Sequence, residues 1–235
     1  GVEIDMGSLG DRETFESKLS DESTRKQFQE TARSLNLEIC SLAMSGFYAQ
    51  SFAERPTAIR MVSDCIDTMA QMGVKIAFLP LGVRGDLVKH PELRPAIVDR
   101  LRTIARIAKQ TKVTIGVETA LGAADEVKLL EEIDSSADRI YFNFANALQE
   151  GRDLLREIKM LVRERICHIH CTDQDGVLLE DNKRLDMPAI KQTLDDIGWK
   201  GWLVIERSRD ASKVRDVVYN FGRNTAYLKS IFQAD

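Results

Sequence analysis

Two of the three histidines in this 235-residue chain fall in one short apolar segment, Ile166-Cys167-His168-Ile169-His170-Cys171-Thr172-Asp173. Side chains of an extended strand alternate between its faces, so His168, His170 and Thr172 share one face while Cys167, Ile169 and Cys171 share the other. A polar face backed by an apolar one suits a strand with helices behind it and a pocket in front. Imidazoles there could bind a metal or move a proton; two core histidines bonded to backbone carbonyls are the alternative on these residues alone. Three other apolar runs end in polar residues, at Glu118, Asn143 and Glu206. Two carboxylates, an amide oxygen and the His170 imidazole, if brought together, could coordinate Mn²⁺, Mg²⁺, Zn²⁺ or Co²⁺. A single carboxylate of this kind would more often cap a helix or sit on the surface. By alternation His168 lies one layer deeper than His170, as a core residue or a support for the ligands.

The elements that must position these residues follow from periodicity. Residues 1–5 alternate as a short strand, closed by Gly7 and Gly10. An amphipathic helix is expected over 24–35 and a strand over 36–42. The loop 45–54 carries Phe47, Tyr48 and Phe52, aromatic side chains that either flank a pocket or cover the core. Pro56 opens a helix to Met72 with Ile59, Val62, Ile66 and Met69 on one face and Gly73 as its stop. A strand over 74–79, a helix from Pro91 to about 110, a strand over 113–118 and a helix over 123–133 come next. The fifth strand, 139–143, passes through Asn146 and Gly151 into a helix over 154–163. The histidine segment is the sixth strand. A polar loop, 174–185, precedes a helix over 188–197, the turn Gly198-Trp199-Lys200-Gly201, a seventh strand over 202–206 and a closing helix over the remainder.

Strict strand–helix alternation implies right-handed crossovers and a parallel sheet, closed as a barrel or open and doubly wound. No GxGxxG or P-loop follows the first strand, which favours the barrel. The length suits one such domain over residues 1–235. Barrel sites collect at the carboxyl ends of the strands, and Glu118, Asn143, His170 and Glu206 occupy such ends on four successive strands.

Composition limits the partners. With 43% hydrophobic and 30% charged residues and a net charge of −4, the chain has no basic stripe for nucleic acid. No apolar run reaches the roughly 18 residues of a membrane span. The four cysteines form no CxxC pair, so they are expected to be reduced and mostly buried, which favours the cytoplasm. The chain starts at Gly1, so export after loss of a leader stays open.

The order Gly1-Val2-Glu3-Ile4, Gly116-Val117-Glu118-Thr119, Tyr141-Phe142-Asn143-Phe144-Ala145-Asn146-Ala147 with Gly151, His168-Ile169-His170-Cys171-Thr172-Asp173, and Gly198-Trp199-Lys200-Gly201-Trp202 ending in Glu206 resembles the sugar phosphate isomerase/epimerase family of the xylose-isomerase-like TIM barrel superfamily. The resemblance spans essentially the whole chain and implies an α/β (β/α)8 barrel. It implies a divalent metal held by Glu118, Asn143, His170 and Glu206, with the two glutamates as acid and base. Weaker substrate-binding expectations fall on Asn146, His168 and Asp173. Three departures stand out: Asn143 replaces the family's usual aspartate, Thr172 replaces a frequent lysine, and the family's first strand and helix are missing. The seven strands would then be the family's second through eighth, and the chain as it stands would not close an eight-stranded barrel alone.

The implied reaction is isomerisation or epimerisation of a sugar or sugar phosphate, one glutamate removing a proton beside a metal-bound carbonyl and the other returning it on the opposite face. A metal-assisted lyase or hydrolase acting on a keto-sugar, and a non-catalytic carbohydrate-binding barrel with a weakened metal site, are the alternatives. Arg84, Lys183, Arg184 and Arg207 could meet a phosphate, although solvated surface charge is the simpler reading of each. The family is often oligomeric, which makes a homo-oligomer an open alternative to a monomer.

Overall fold

The computed structural model describes residues 1–233. The chain forms two compact units, one of Gly1–Leu121 with Asp125–Tyr141, the other running from Phe142 onward with Gly122–Ala124. Among the described residues there are seven strands, the number that the apolar segments indicate.

In the first unit, β1 (Val2–Asp5), β2 (Ile39–Ala43), β3 (Ile76–Pro80), β4 (Thr114–Glu118) and the start of β5 (Asp138–Asn143) pair in parallel and in chain order. Glu3 lies beside Ser41, Leu42 beside Ala77, Phe78 beside Gly116, and Val117 beside Ile140. Alternation separates two faces. Leu42, Ala77, Leu79, Ile115 and Val117 enter the apolar core with Met61, Ile66 and Met69 of α2 (Ala58–Met72) and Leu101 and Ile104 of α3 (Arg94–Thr111). Glu3, Ser41, Phe78, Glu118 and Tyr141 occupy the other face. The helix ends are written locally. α1 (Glu22–Ser34) starts at Asp21, whose carboxylate accepts from Thr24 N at 2.7 Å, and α2 stops at Gly73, whose φ of 73° is a left-handed cap suited to glycine.

In the second unit, α5 (Phe144–Gln149) and α6 (Leu154–Arg165) lead into β6 (Ile166–His170), and α7 (Met187–Asp196) leads into β7 (Leu203–Val204). β6 and β7 are parallel, Ile169 beside Leu203 and His170 beside Val204. α8 (Val217–Phe232) follows. The remaining helix, α4 (Ala123–Ile133), has the bounds expected from periodicity.

Four local expectations are corrected. The helix expected from Pro91 opens as a 3-10 turn, Pro91–Leu93, before α3 takes over. The connection after the fifth strand is the helix α5, because the Asn143 side chain caps it, accepting from Ala145 N at 2.9 Å. The seventh strand is only Leu203–Val204, so Glu206 lies two residues beyond it. There the backbone ladder gives way to side-chain ties, a bidentate pair of Arg209 with Asp175 among them. The closing helix begins only at Val217, because Asp210 turns the chain by accepting from Ser212 N and Oγ, and Asp216 supplies the cap, accepting from Tyr219 N.

Candidate functional site

Glu118 is the last residue of β4 and is 4% exposed. Its Oε1 accepts the Tyr48 hydroxyl at 2.6 Å. Tyr48 ends the 3-10 turn Ser45–Tyr48 that follows β2, and its ring lies 6.0 Å from that of Phe78. A side chain at Gly82 would overlap the Tyr48 ring, so glycine provides its seat. The other two aromatics of this loop, Phe47 and Phe52, are fully buried in the core, so the loop divides the two roles open to it. Beyond Glu118 the chain is fixed by Thr119, which donates to Glu126 Oε1 at 2.7 Å and accepts from Leu121 N at 3.1 Å.

The same face of the sheet carries a second polar group. Ser41 Oγ and Tyr141 Oη both donate to Glu3 Oε2, at 2.6 and 2.8 Å. Burial, reinforced by the neighbouring Glu3 charge, holds the Tyr141 phenol well above its ordinary value, so it stays a donor. Alternation in β2 places Ser41 opposite Leu42, which is the sequence signal for this group; the Tyr141 contact spans 138 residues and has none.

In the second unit, Asn143 is the last residue of β5 and His170 the last of β6; they are 3% and 1% exposed. The Asn143 amide oxygen is engaged as the cap of α5. His168 Nδ1 lies 2.6 Å from the Cys167 carbonyl, and because a carbonyl only accepts, that nitrogen carries the proton. Asn146 is half-buried, and its carbonyl accepts from Arg152. Asp173 is fully buried, with Oδ2 accepting from Asn182 Nδ2 at 3.1 Å and Oδ1 3.3 Å from Arg184 Nη1. These contacts pin the loop after β6 to the strand end. Glu206 Oε2 meets the Arg207 guanidinium at 3.3 and 3.4 Å. Arg184 and Arg207, two of the cations considered for phosphate, are thus each paired with a carboxylate. All four cysteines are free thiols and buried; burial pushes Cys171 up to about 12.

A divalent ion needs several donors around one point. Among the described residues no three of His, Cys, Asp and Glu form such a group, and the Asn143 oxygen already serves the α5 cap.

The rhizopine catabolism protein MocC of Rhizobium meliloti is 23% identical over 169 residues, 59% of this chain and 51% of MocC; the chain spans about half the length of this curated relative. Among solved structures, the 3-keto-D-glucoside 4-epimerase YcjR of E. coli superposes with a TM-score of 0.73 at 16% identity, covering 88% of this chain and 85% of that one. The D-psicose 3-epimerase of Clostridium cellulolyticum H10 reaches 0.75 at 13% identity, covering 98% and 88%. The family model for xylose isomerase-like TIM barrels matches residues 1–231, and the chain belongs to that family and has its α/β TIM-barrel fold.

Proposed function

We propose that the protein is a sugar isomerase or epimerase acting on a keto-sugar, free or phosphorylated, with Glu118 and Glu206 as the proton-transferring pair. The observation that carries this reading is Glu118, a buried carboxylate that ends a strand and is held by the Tyr48 hydroxyl. A carboxylate so placed is positioned by the fold rather than left to solvent. The family match supports the reaction class, as do similar folds in a 3-keto-D-glucoside 4-epimerase and a D-psicose 3-epimerase.

In this reaction one glutamate takes the proton from the carbon beside the substrate carbonyl, giving an enediolate with the negative charge on the former carbonyl oxygen. The other delivers a proton to the opposite face. Such general acid–base transfer contributes about 10²–10⁴-fold.

The test is exchange of the substrate's C–H proton with deuterium oxide, followed by NMR across keto-hexoses beginning with D-fructose. Exchange is expected in the parent protein, with Glu118→Gln and Glu206→Gln each folded and slower by about 10² or more. Parent-like exchange in either variant would remove that residue from the pair. Turnover with no exchange would point to hydrolysis.

A further inference from the structure

The 3-10 turn that carries Tyr48 hangs between two carboxylates, each of which ends a strand. Its last residue, Tyr48, donates to Glu118 at the end of β4. Its first residue, Ser45, donates to Asp5 at the end of β1: Ser45 Oγ lies 2.5 Å from Asp5 Oδ2, and Ser45 N lies 3.4 Å from Asp5 Oδ1. Met44, at the cap position, offers the turn no side-chain acceptor, so Asp5 supplies one from another strand. A four-residue 3-10 turn is a marginal element, positioned largely by what holds its ends.

The chain after Asp5 is laid along the same turn. Gly7 N donates to Asp5 Oδ1 at 3.2 Å, and a side chain at Gly46 would overlap the buried Leu9. The Gly10 carbonyl then accepts from Gln50 Nε2 and Arg55 Nη1, at 2.9 and 2.8 Å. β1 itself is held beside β2, with Asp5 next to Ala43 and Met6 N donating to the Ala43 carbonyl at 2.7 Å. Asp5 is thus a fixed point for the turn, although the residue is exposed. The Tyr48 hydroxyl is the far end of a long side chain, so a small rotation of the turn is magnified there. A misplacement on the order of 1 Å at a reacting group can cost about 10²-fold in rate.

We propose that Asp5 is a positioning residue for Tyr48 and, through it, for Glu118: by holding Ser45, the carboxylate fixes the turn so that Tyr48 presents its hydroxyl to Glu118 Oε1. The bond from Ser45 is charge-assisted, which suits it to orienting a turn even where exposure limits what it adds to stability. The catalytic consequence rests on the proton-transfer role of Glu118 proposed above; the positioning of Tyr48 does not.

Two measurements test this. Tyrosine labelled with ¹³C at the ring carbon that bears the oxygen reports on the hydroxyl without substrate, and Tyr48→Phe assigns the Tyr48 signal among the four tyrosines. Asp5→Ala and Ser45→Ala, which remove the bond from its two sides, are each expected to shift that signal in the same direction. A Tyr48 signal at the parent position in either folded variant overturns the proposal whatever the substrate proves to be. With a keto-hexose that exchanges, Asp5→Ala is expected to lower kcat about fivefold with KM within about twofold. Added to Tyr48→Phe, it is expected to change kcat by less than about twofold, because the hydroxyl it acts through is already gone. A full fivefold loss in that background would mean that Asp5 acts by another route, and also overturns the proposal. A Tyr48 signal that responds to Asp5 and Ser45 in a protein that exchanges no keto-sugar would keep the positioning contact and sink the isomerase reading alone.

Discussion

Tyr48 and Glu118 are 70 residues apart, and the 2.6 Å hydrogen bond between them is the best-defined contact to a proposed catalytic group. Tyr48→Phe removes the donor while leaving the ring between Phe78 and Gly82, so the fold should be retained. The expected result is a kcat lower by about tenfold, on the scale of one hydrogen bond to a charged group, with a melting temperature lower by several degrees, about 2–4 °C per kcal/mol of the bond lost. Turnover assays beside thermal melts check it. Equal kcat in the two proteins would make Tyr48 a packing residue only. Asn143 shows how one residue can serve two ends: an amide ending an apolar strand, its oxygen also caps the first turn of α5.

At the scale of elements, β5 begins with an unfavourable group. Asp138 is 3% exposed and pairs beside Ile115 of β4; burial pushes its carboxyl up to about 7 against the opposing pull of Ser135. The folded state therefore holds this proton more tightly than the unfolded chain, whose aspartate titrates near 3.9. Below the unfolded value both states are protonated and no penalty exists. As pH rises toward about 7 the folded state loses stability relative to the unfolded one, and above that the penalty is complete. Asp138→Asn is thus expected to match the parent near pH 4 and to exceed it at pH 8 by up to about 4 kcal/mol. Denaturant titrations at the two pH values measure this. A variant no more stable than the parent at pH 8 would show that Asp138 is not held as a neutral acid.

For the whole molecule, the family match runs over residues 1–231 and the boundary between the compact units falls inside β5. A boundary inside a strand is a poor place for independent folding, since one continuous extended backbone segment runs through it. We therefore expect the single domain read from the sequence to unfold in one cooperative transition, with calorimetric and van't Hoff enthalpies in agreement. Two resolved transitions would make the units separate domains. Among the described residues no helix is long and apolar enough to cross a membrane.

What the sequence by itself determined was local and periodic. Two-residue alternation and helix punctuation located seven strands, and they placed Glu118, Asn143 and His170 as the last residues of β4, β5 and β6. Gly73 stopped α2 as expected because a left-handed cap is a property of one residue and its neighbours. Only the tertiary structure decided that β7 ends at Val204, that Tyr48 rather than Phe47 or Phe52 reaches Glu118, and that Asp173 holds Asn182 and Arg184. Periodicity and caps are encoded within a turn or two of chain. The partner of a buried polar atom depends on which distant segment packs against it, and no short window of sequence contains that segment.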